Sequence, residues 1–361
     1  MYYSCFSKKI NNKFYQKGAY SMITTQELAE LAGVSQSTVS RSLQNSSRIS
    51  IETKTKVQEL AKQHGYIIKR KQKHFTNNGG IAIILDIGRI TTPLDLYLEY
   101  LSNELIKQVE SQNYYPIILS HDVNNTDSFK YIQSVIETGS IKGTIIINDN
   151  YHPALEEYLK NLNIPHIYTQ YFSRPMKKSL NIVDVDHFAG GLLAANHLLS
   201  LEHRKIATLT SVGSDFDERT AGYCTALKSS GLTINSGWII KTGLTYSEGY
   251  ETMRKNWEKL QDCTAFFAQT DRLGIAVINY LTDHGYTVPQ RYSVIGFDGI
   301  YEGTYCRPKL TTVIQPVAEI AESSMNSLSR LLTQKDGGAT HFFIQPRLCL
   351  RNSTANVFLQ E

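Results

Sequence analysis

The sequence predicts an N-terminal three-helix helix-turn-helix domain followed by an α/β body of two lobes, each built on a parallel sheet. Three observations predict it. Apolar positions recur at helical spacing in three short segments between Thr24 and Gly65, with a glycine between the first two. Past Asn77-Asn78-Gly79-Gly80 the pattern changes to short continuous apolar runs alternating with helical stretches. That alternation restarts near Asn181, giving two similar halves with a cleft between them, where ligands bind outside the carboxyl ends of strands.

In the head, Thr24 followed three residues later by Glu27 is a capping box. Leu28, Leu31 and Ala32 then share one face, Gly33 ends the first helix, and Ser35 caps a second over 36–43. A third helix runs from Ser50 through Ile51, Val57, Leu60 and Ala61 to Gly65, and Val34, Val39 and Leu43 are expected in the head's own core. Lys69-Arg70-Lys71-Gln72-Lys73-His74 is a basic linker. In the body, strands are expected at 81–85, 116–119, 143–147 and 165–168, then at 205–210, 237–241, 264–268 and 293–296. Helices are expected at 94–112, 129–138, 154–162, 190–201, 218–230, 247–260 and 274–284. The domain plan is therefore 1–21, a disordered or non-native extension before Met22; 22–66, the helix-turn-helix domain; 67–79, the linker; and 80–361, the body. Its first lobe takes 80–182 plus 315–335, and its second 183–314 plus 340–361.

Composition bounds the function class. With 361 residues, 41% hydrophobic and 19% charged, the chain is ordinary globular protein with room for two or three cores. No apolar run approaches the roughly 18–20 residues that span a bilayer, and residues 1–21 lack the apolar segment of a signal peptide. A cytoplasmic location and no membrane partner are expected. The cysteines, Cys5, Cys224, Cys263, Cys306 and Cys349, make no C-x-x-C pair and have no metal-ligand spacing, so free thiols, no metal and no cofactor are expected. Charge is divided unevenly. Residues 1–78 hold 13 Lys and Arg against four Glu, whereas the remainder holds 24 against 29 Asp and Glu. A basic head on an acidic body implies that the head meets a polyanion.

The head segment ELAELAGVSQSTVSR, residues 27–41, resembles the lactose-repressor (LacI/GalR) family of transcription regulators. The likeness continues along the body: Asp186 with Gly190-Gly191, Ala195-Asn196-His197-Leu198, His203-Arg204-Lys205-Ile206, Arg219-Thr220-Ala221-Gly222-Tyr223, Val288-Pro289, SVIGFD at 293–298, PKLTTVIQP at 308–316 and PRLCLRNST at 346–354. These segments stand in the family's order from residue 24 to about 354.

The resemblance implies a periplasmic-binding-protein-like body and a cytoplasmic homodimer. It would bind a pseudo-palindromic operator in double-stranded DNA and be switched by a small sugar. It places Gln36, Ser37 and Arg41 where bases are read: Gln can pair with adenine and Arg with guanine. Thr38, Ser40 and Asn45 suit phosphate oxygens, and Thr24 and Ser35, at the two helix starts, join the DNA-contacting set. Phe75 falls where the family has a leucine that wedges into the minor groove, although the proline and alanine-rich hinge helix expected at 68–72 are replaced by Ile and basic residues. For the effector, Arg219 and Asp271 match family residues able to hold vicinal hydroxyls, and Leu96 and Tyr97 would contribute from the other lobe. Leu244 stands where an aromatic often stacks on the ligand, with Tyr246 as a substitute, while Asp186 and Asp298 are expected to hold loops.

Other classes are disfavoured. There is no G-x-G-x-x-G after a strand, no G-x-x-x-x-G-K-[ST], no G-x-S-x-G and no H-E-x-x-H, which argues against an enzyme. A sugar-binding protein without a regulatory role would lack the head. A global catabolite regulator answering to a phosphoprotein corepressor remains the alternative within the same class.

Overall fold

The computed structural model describes residues 23–43, 46, 48–64, 66, 77–86, 96–122, 124–147, 152–170, 179–333 and 338–357. The chain divides into two compact units, residues 1–75 and 76–361. In the first, helices α1 (Thr25–Ala32), α2 (Gln36–Leu43) and α3 (Ile51–Gln63) close on Leu28, Ala29, Ala32, Val39, Val57 and Ala61, with Val34 and Leu43 packed against that core. The capping box forms: the Thr24 N–H donates to Glu27 Oε2 at 2.8 Å and the Glu27 N–H donates to Thr24 Oγ1 at 3.2 Å. These bonds satisfy donors that the first turn leaves without helical partners. Gly33 takes φ +69°, a left-handed exit from α1 that any side chain would strain.

The second unit holds, in chain order, β1 (Gly80–Asp86), α4 (Leu96–Ser111), β2 (Tyr115–His121), α5 (Thr126–Ile136), β3 (Ile141–Ile147), α6 (Pro153–Asn161), β4 (His166–Thr169) and β5 (Ile182–Val185). Then come α7 (His187–Ser200), β6 (Ile206–Thr210), α8 (Ser214–Ser229), β7 (Ile239–Lys241), α9 (Tyr246–Leu260), β8 (Ala265–Ala268), α10 (Asp271–Asp283), β9 (Ser293–Asp298), β10 (Thr311–Ile314), α11 (Val317–Thr333), β11 (His341–Ile344) and β12 (Arg347–Cys349).

Two six-stranded sheets result, ordered β11-β5-β4-β3-β1-β2 and β12-β10-β9-β8-β6-β7. Every paired strand is parallel except β12, which runs antiparallel to β10. In β1 the continuous apolar run is used on both faces: Ile81 and Ile83 meet Leu101, Leu105, Ile320 and Met325, while Ala82 and Ile84 meet Ile132, Ile136, Leu155 and Leu159. The second sheet is covered likewise, by α9 and α10 on one face and α7 and α8 on the other.

Both Ile182–Val185 and His341–Ile344 belong to the first sheet. The lobe boundaries therefore fall after 185 and 344, later than the 182 and 340 expected. The chain crosses between lobes as it leaves the carboxyl ends of β5, β10 and β11. The strands beside them are parallel, so the carboxyl ends of both sheets border the interlobe cleft.

His203, just before β6, ties the second lobe to the chain's last segment. It is fully buried, with Nδ1 bonded to Thr264 Oγ1 at 2.9 Å and Nε2 to the Ala355 carbonyl at 3.0 Å. Burial holds this imidazole down at about 4, against an ordinary 6.5. The unfolded chain thus takes up the proton first as pH falls. His203 contributes stability in full above 6.5, loses it through the window from 6.5 to about 4, and the loss is on the order of 3 kcal/mol. Urea unfolding between pH 7 and 4.5 should show this slope, and His203→Gln should flatten it; an equal slope in the variant would rule His203 out.

Candidate functional site

The head residues expected to meet DNA lie mainly on α2 and the turn before it. Ser35, Gln36, Ser37 and Arg41 are exposed, and Thr38 and Ser40 are half-buried. Ser35 caps the helix, accepting from the Thr38 N–H at 3.1 Å, and its hydroxyl bonds those of Ser37 and Thr38 at 2.8 Å each. Gln36 Nε2 donates to Thr25 Oγ1 at 2.9 Å, so the first helix steers this amide. Gln36, Ser37 and Arg41 thus come together on one exposed surface at and beyond the start of α2. The Thr24 hydroxyl is engaged with Glu27 in the capping box, which leaves it a helix-starting role in this state. Asn45 and Phe75 lie outside the described residues.

In the body, the cleft side of the second sheet carries a buried cluster around Arg219. This residue sits on α8, and its guanidinium lies 3.9 Å from the Phe297 ring centroid and 5.0 Å from that of Phe216. Its Nη2 is 3.4 Å from Asp215 Oδ2 and its Nη1 is 4.0 Å from Asp298 Oδ1; Nη1 also donates to the Gln269 carbonyl. Gln269, at the end of β8, is fixed in turn by Thr208, Thr210 and Thr220. Asp298 ends β9 with φ +113°, a conformation that non-glycine residues rarely adopt, and accepts from Gln315 Nε2 at 2.8 Å. Such outliers concentrate at ligand clamps.

Asp271 is placed differently from Arg219. It is fully buried; Oδ2 accepts from the Gly299 and Ile300 N–H groups at 2.9 and 2.8 Å, and Oδ1 accepts from the Thr312 hydroxyl. Burial first, then the Asp298 charge, pushes its carboxyl well above the ordinary range. In this state Asp271 holds the turn that presents Asp298. The carboxylates beside Arg219 are Asp215 and Asp298, which the sequence reading had not assigned to the effector. A signal was available for Asp298: it closes the apolar run of β9 at a strand's carboxyl end. His187 was also missed; its Nδ1 accepts from Arg219 Nε at 3.3 Å.

From the first lobe, Leu96 packs half-buried against the core, and the buried Tyr97 hydroxyl accepts from Gln170 Nε2 just beyond β4. Leu244 and Tyr246 are exposed at the start of α9. The Tyr246 hydroxyl accepts from Asn279 Nδ2 at 3.0 Å, and its ring pairs with Tyr250, on the outer helical layer. Asp186 caps α7, accepting from the Ala189 N–H at 2.8 Å. Among the described residues, no group of three or more His, Cys, Asp or Glu could hold a metal, and no helix is long and apolar enough to cross a membrane.

Residues 24–68 match the family described as bacterial regulatory proteins, lacI family, and residues 195–354 match the periplasmic binding protein-like domain. The HTH-type transcriptional regulator DegA of Bacillus subtilis is 30% identical over 338 residues, covering 92% of this chain and 98% of that protein. The HTH-type transcriptional repressor PurR of Mannheimia succiniciproducens is 27% identical over 343 residues, 93% of this chain and 100% of its own. A crystal structure of a LacI family transcriptional regulator from Enterococcus faecium with bound ribose superposes with TM-score 0.65 and 26% identity, covering 76% of this chain and 99% of that one.

Proposed function

Because the chain belongs to the lacI family of bacterial regulatory proteins, and is thus a DNA-binding transcription regulator with a ligand-binding body, we propose that it is a repressor of a carbohydrate-utilisation operon, switched by a small sugar. The observation that carries the ligand class is the Arg219 guanidinium, buried at the cleft between Asp215 and Asp298 and lying over Phe297. A forked donor beside two acceptors matches vicinal hydroxyls, and the buried Phe297 ring under the guanidinium fixes the plane of that fork. The ribose-bound relative is in keeping with this class. Asp298 and Arg219 form the primary contacts, and the hydrogen-bonded pair Tyr97 and Gln170, the latter just beyond the carboxyl end of β4, contributes from the first lobe. Two heads, held by a homodimeric body, read a pseudo-palindromic operator, with residues 22–66 as the reading domain and 67–79 as the hinge.

The test is to incubate the purified chain with sheared DNA from its source, then recover and sequence the bound fragments. Pseudo-palindromic sites upstream of genes for uptake and breakdown of one carbohydrate are expected, and that carbohydrate should change the affinity for those sites. Fragments with no shared motif at moderate salt would reject the reading. On a recovered site, Arg41→Ala should weaken binding about tenfold to a hundredfold and relax the choice of base at one position per half-site. An unchanged base preference would remove Arg41 from the reading set.

A further inference from the structure

The segment that crosses from the first lobe to the second carries two fully buried polar side chains. Asp184 lies on β5 of the first sheet, and His187 begins α7 in the second lobe. A carboxylate in such a place is costly unless it is paired. Asp184 Oδ1 accepts from the Val185 N–H at 2.8 Å and lies 3.6 Å from His187 Nε2, an electrostatic contact longer than a hydrogen bond. On the opposite side of the same ring, Nδ1 accepts from Arg219 Nε at 3.3 Å. A ring nitrogen that accepts carries no proton, so the neutral imidazole has its proton on Nε2, toward Asp184. The ring also stands 6.1 Å from Phe297, over which the guanidinium lies.

A purely structural role at the helix start is already filled. Asp186 supplies the cap of α7 by accepting from the Ala189 N–H. What His187 adds is an acceptor for the one guanidinium edge that neither Asp215, Asp298 nor the Gln269 carbonyl reaches.

We infer that His187 is a positioning residue for Arg219, set in its tautomer by Asp184, so that a relay beginning in the first lobe aims the effector-binding guanidinium of the second. The inference rests on the proposed role of Arg219 for its functional meaning. With Nε held by His187, the guanidinium cannot roll about its stem, and its two terminal nitrogens stay turned to Asp215, Asp298 and the cleft. Asp184 moves with one lobe and Arg219 with the other, so rotation about the crossover changes the aim of the guanidinium. Lobe closure and effector affinity are thereby coupled through a chain of adjacent groups.

The test uses the full-length chain labelled with 15N at histidine and arginine side chains, and its first readout needs no effector. The His187 ring signals, assigned by their absence in His187→Asn, should report the Nε2–H tautomer. The Arg219 Nε–H signal should persist in the wild type and in His187→Asn, whose Oδ1 can accept near the place of Nδ1. It should be lost to solvent exchange in His187→Leu. An Nδ1–H tautomer, or an unchanged Arg219 signal in His187→Leu, overturns the relay. Should His187→Leu fail to fold, Asp184→Asn serves instead: a mixed tautomer supports the relay and an unaltered one overturns it. With the carbohydrate identified by operator titration, affinity should fall about tenfold or more in His187→Leu and less than about threefold in His187→Asn. Equal affinity in His187→Leu and wild type rejects the relay. An intact relay in a chain whose operator binding answers to no sugar rejects the effector assignment instead.

Discussion

Alanine at Gly191 or at Gly222 is expected to destabilise the second lobe by about 3 kcal/mol or more, a fall of roughly 6–12 °C in Tm. The two residues sit where α7 and α8 touch backbone to backbone. A Cβ on Gly191 would stand 2.0 Å from the Arg219 carbonyl oxygen, and one on Gly222 would stand 2.1 Å from that of Phe188. Neither neighbour is a flexible side-chain end, so a whole helix must shift. The shift would also be felt in the site, because α8 carries Asp215 and Arg219 while α7 begins with His187. Gly285→Ala is the control. Its φ of +80° is strained for alanine, but a Cβ there meets nothing within 4 Å, so its cost should be only about 1–2 kcal/mol. Thermal unfolding of the three variants decides the matter, and equal losses would show that helix contact is not the cause.

The signals that could be read from sequence were local ones. Thr24 and Glu27 are three residues apart, and their reciprocal bonds need nothing from the rest of the chain. The body's period change, and the apolar run of β1, are likewise properties of short windows. What escaped depends on distant partners. β11 is four residues long, with Phe342 and Phe343 exposed, and joins the first sheet only because Ile182–Val185 offers it an edge. The surroundings of Asp271 and Asp298 are of the same kind. Each follows an apolar strand at its carboxyl end, so the local signal that marks Asp298 marks Asp271 as well, and only their partners separate the two. Thr312 and the Gly299–Ile300 amides draw Asp271 inward, while Gln315 holds Asp298 beside Arg219. Thr312 lies on β10 and Gln315 at the crossover after it, and the Gly299–Ile300 amides are far along the chain from Asp271, so no local pattern around Asp271 reveals them. The helices of the head are legible because each is short and locally capped, and Gln36, Ser37 and Arg41 stand on one exposed face through their spacing on α2 alone.

Replacing Arg219 with methionine should abolish the response of operator binding to the carbohydrate. Two effects combine. The effector loses its forked donor, a charge-assisted pair whose removal costs on the order of tenfold to a hundredfold in affinity. The protein also loses the cation that offsets Asp215 and Asp298, and Asp271, already raised by burial and then by the Asp298 charge, faces a more negative neighbourhood. Removing one partner from a buried set of charges costs about 3–5 kcal/mol, so the body's unfolding transition should fall as well. Arg219→Lys separates the two effects. It keeps the charge, and with it most of the stability, but has neither the Nε that bonds His187 nor the planar fork that can span two hydroxyls. The lysine variant should therefore unfold near the wild-type temperature and bind operator normally, yet require far more carbohydrate to respond. The reading domain is a separate compact unit with its own core, so these losses should leave its folding untouched. Operator titrations at rising carbohydrate, set beside thermal unfolding of the same samples, test both parts. A lysine variant with wild-type response would show that Arg219 serves only as a counter-charge, and the effector would then have to be held by Asp298 and the first lobe.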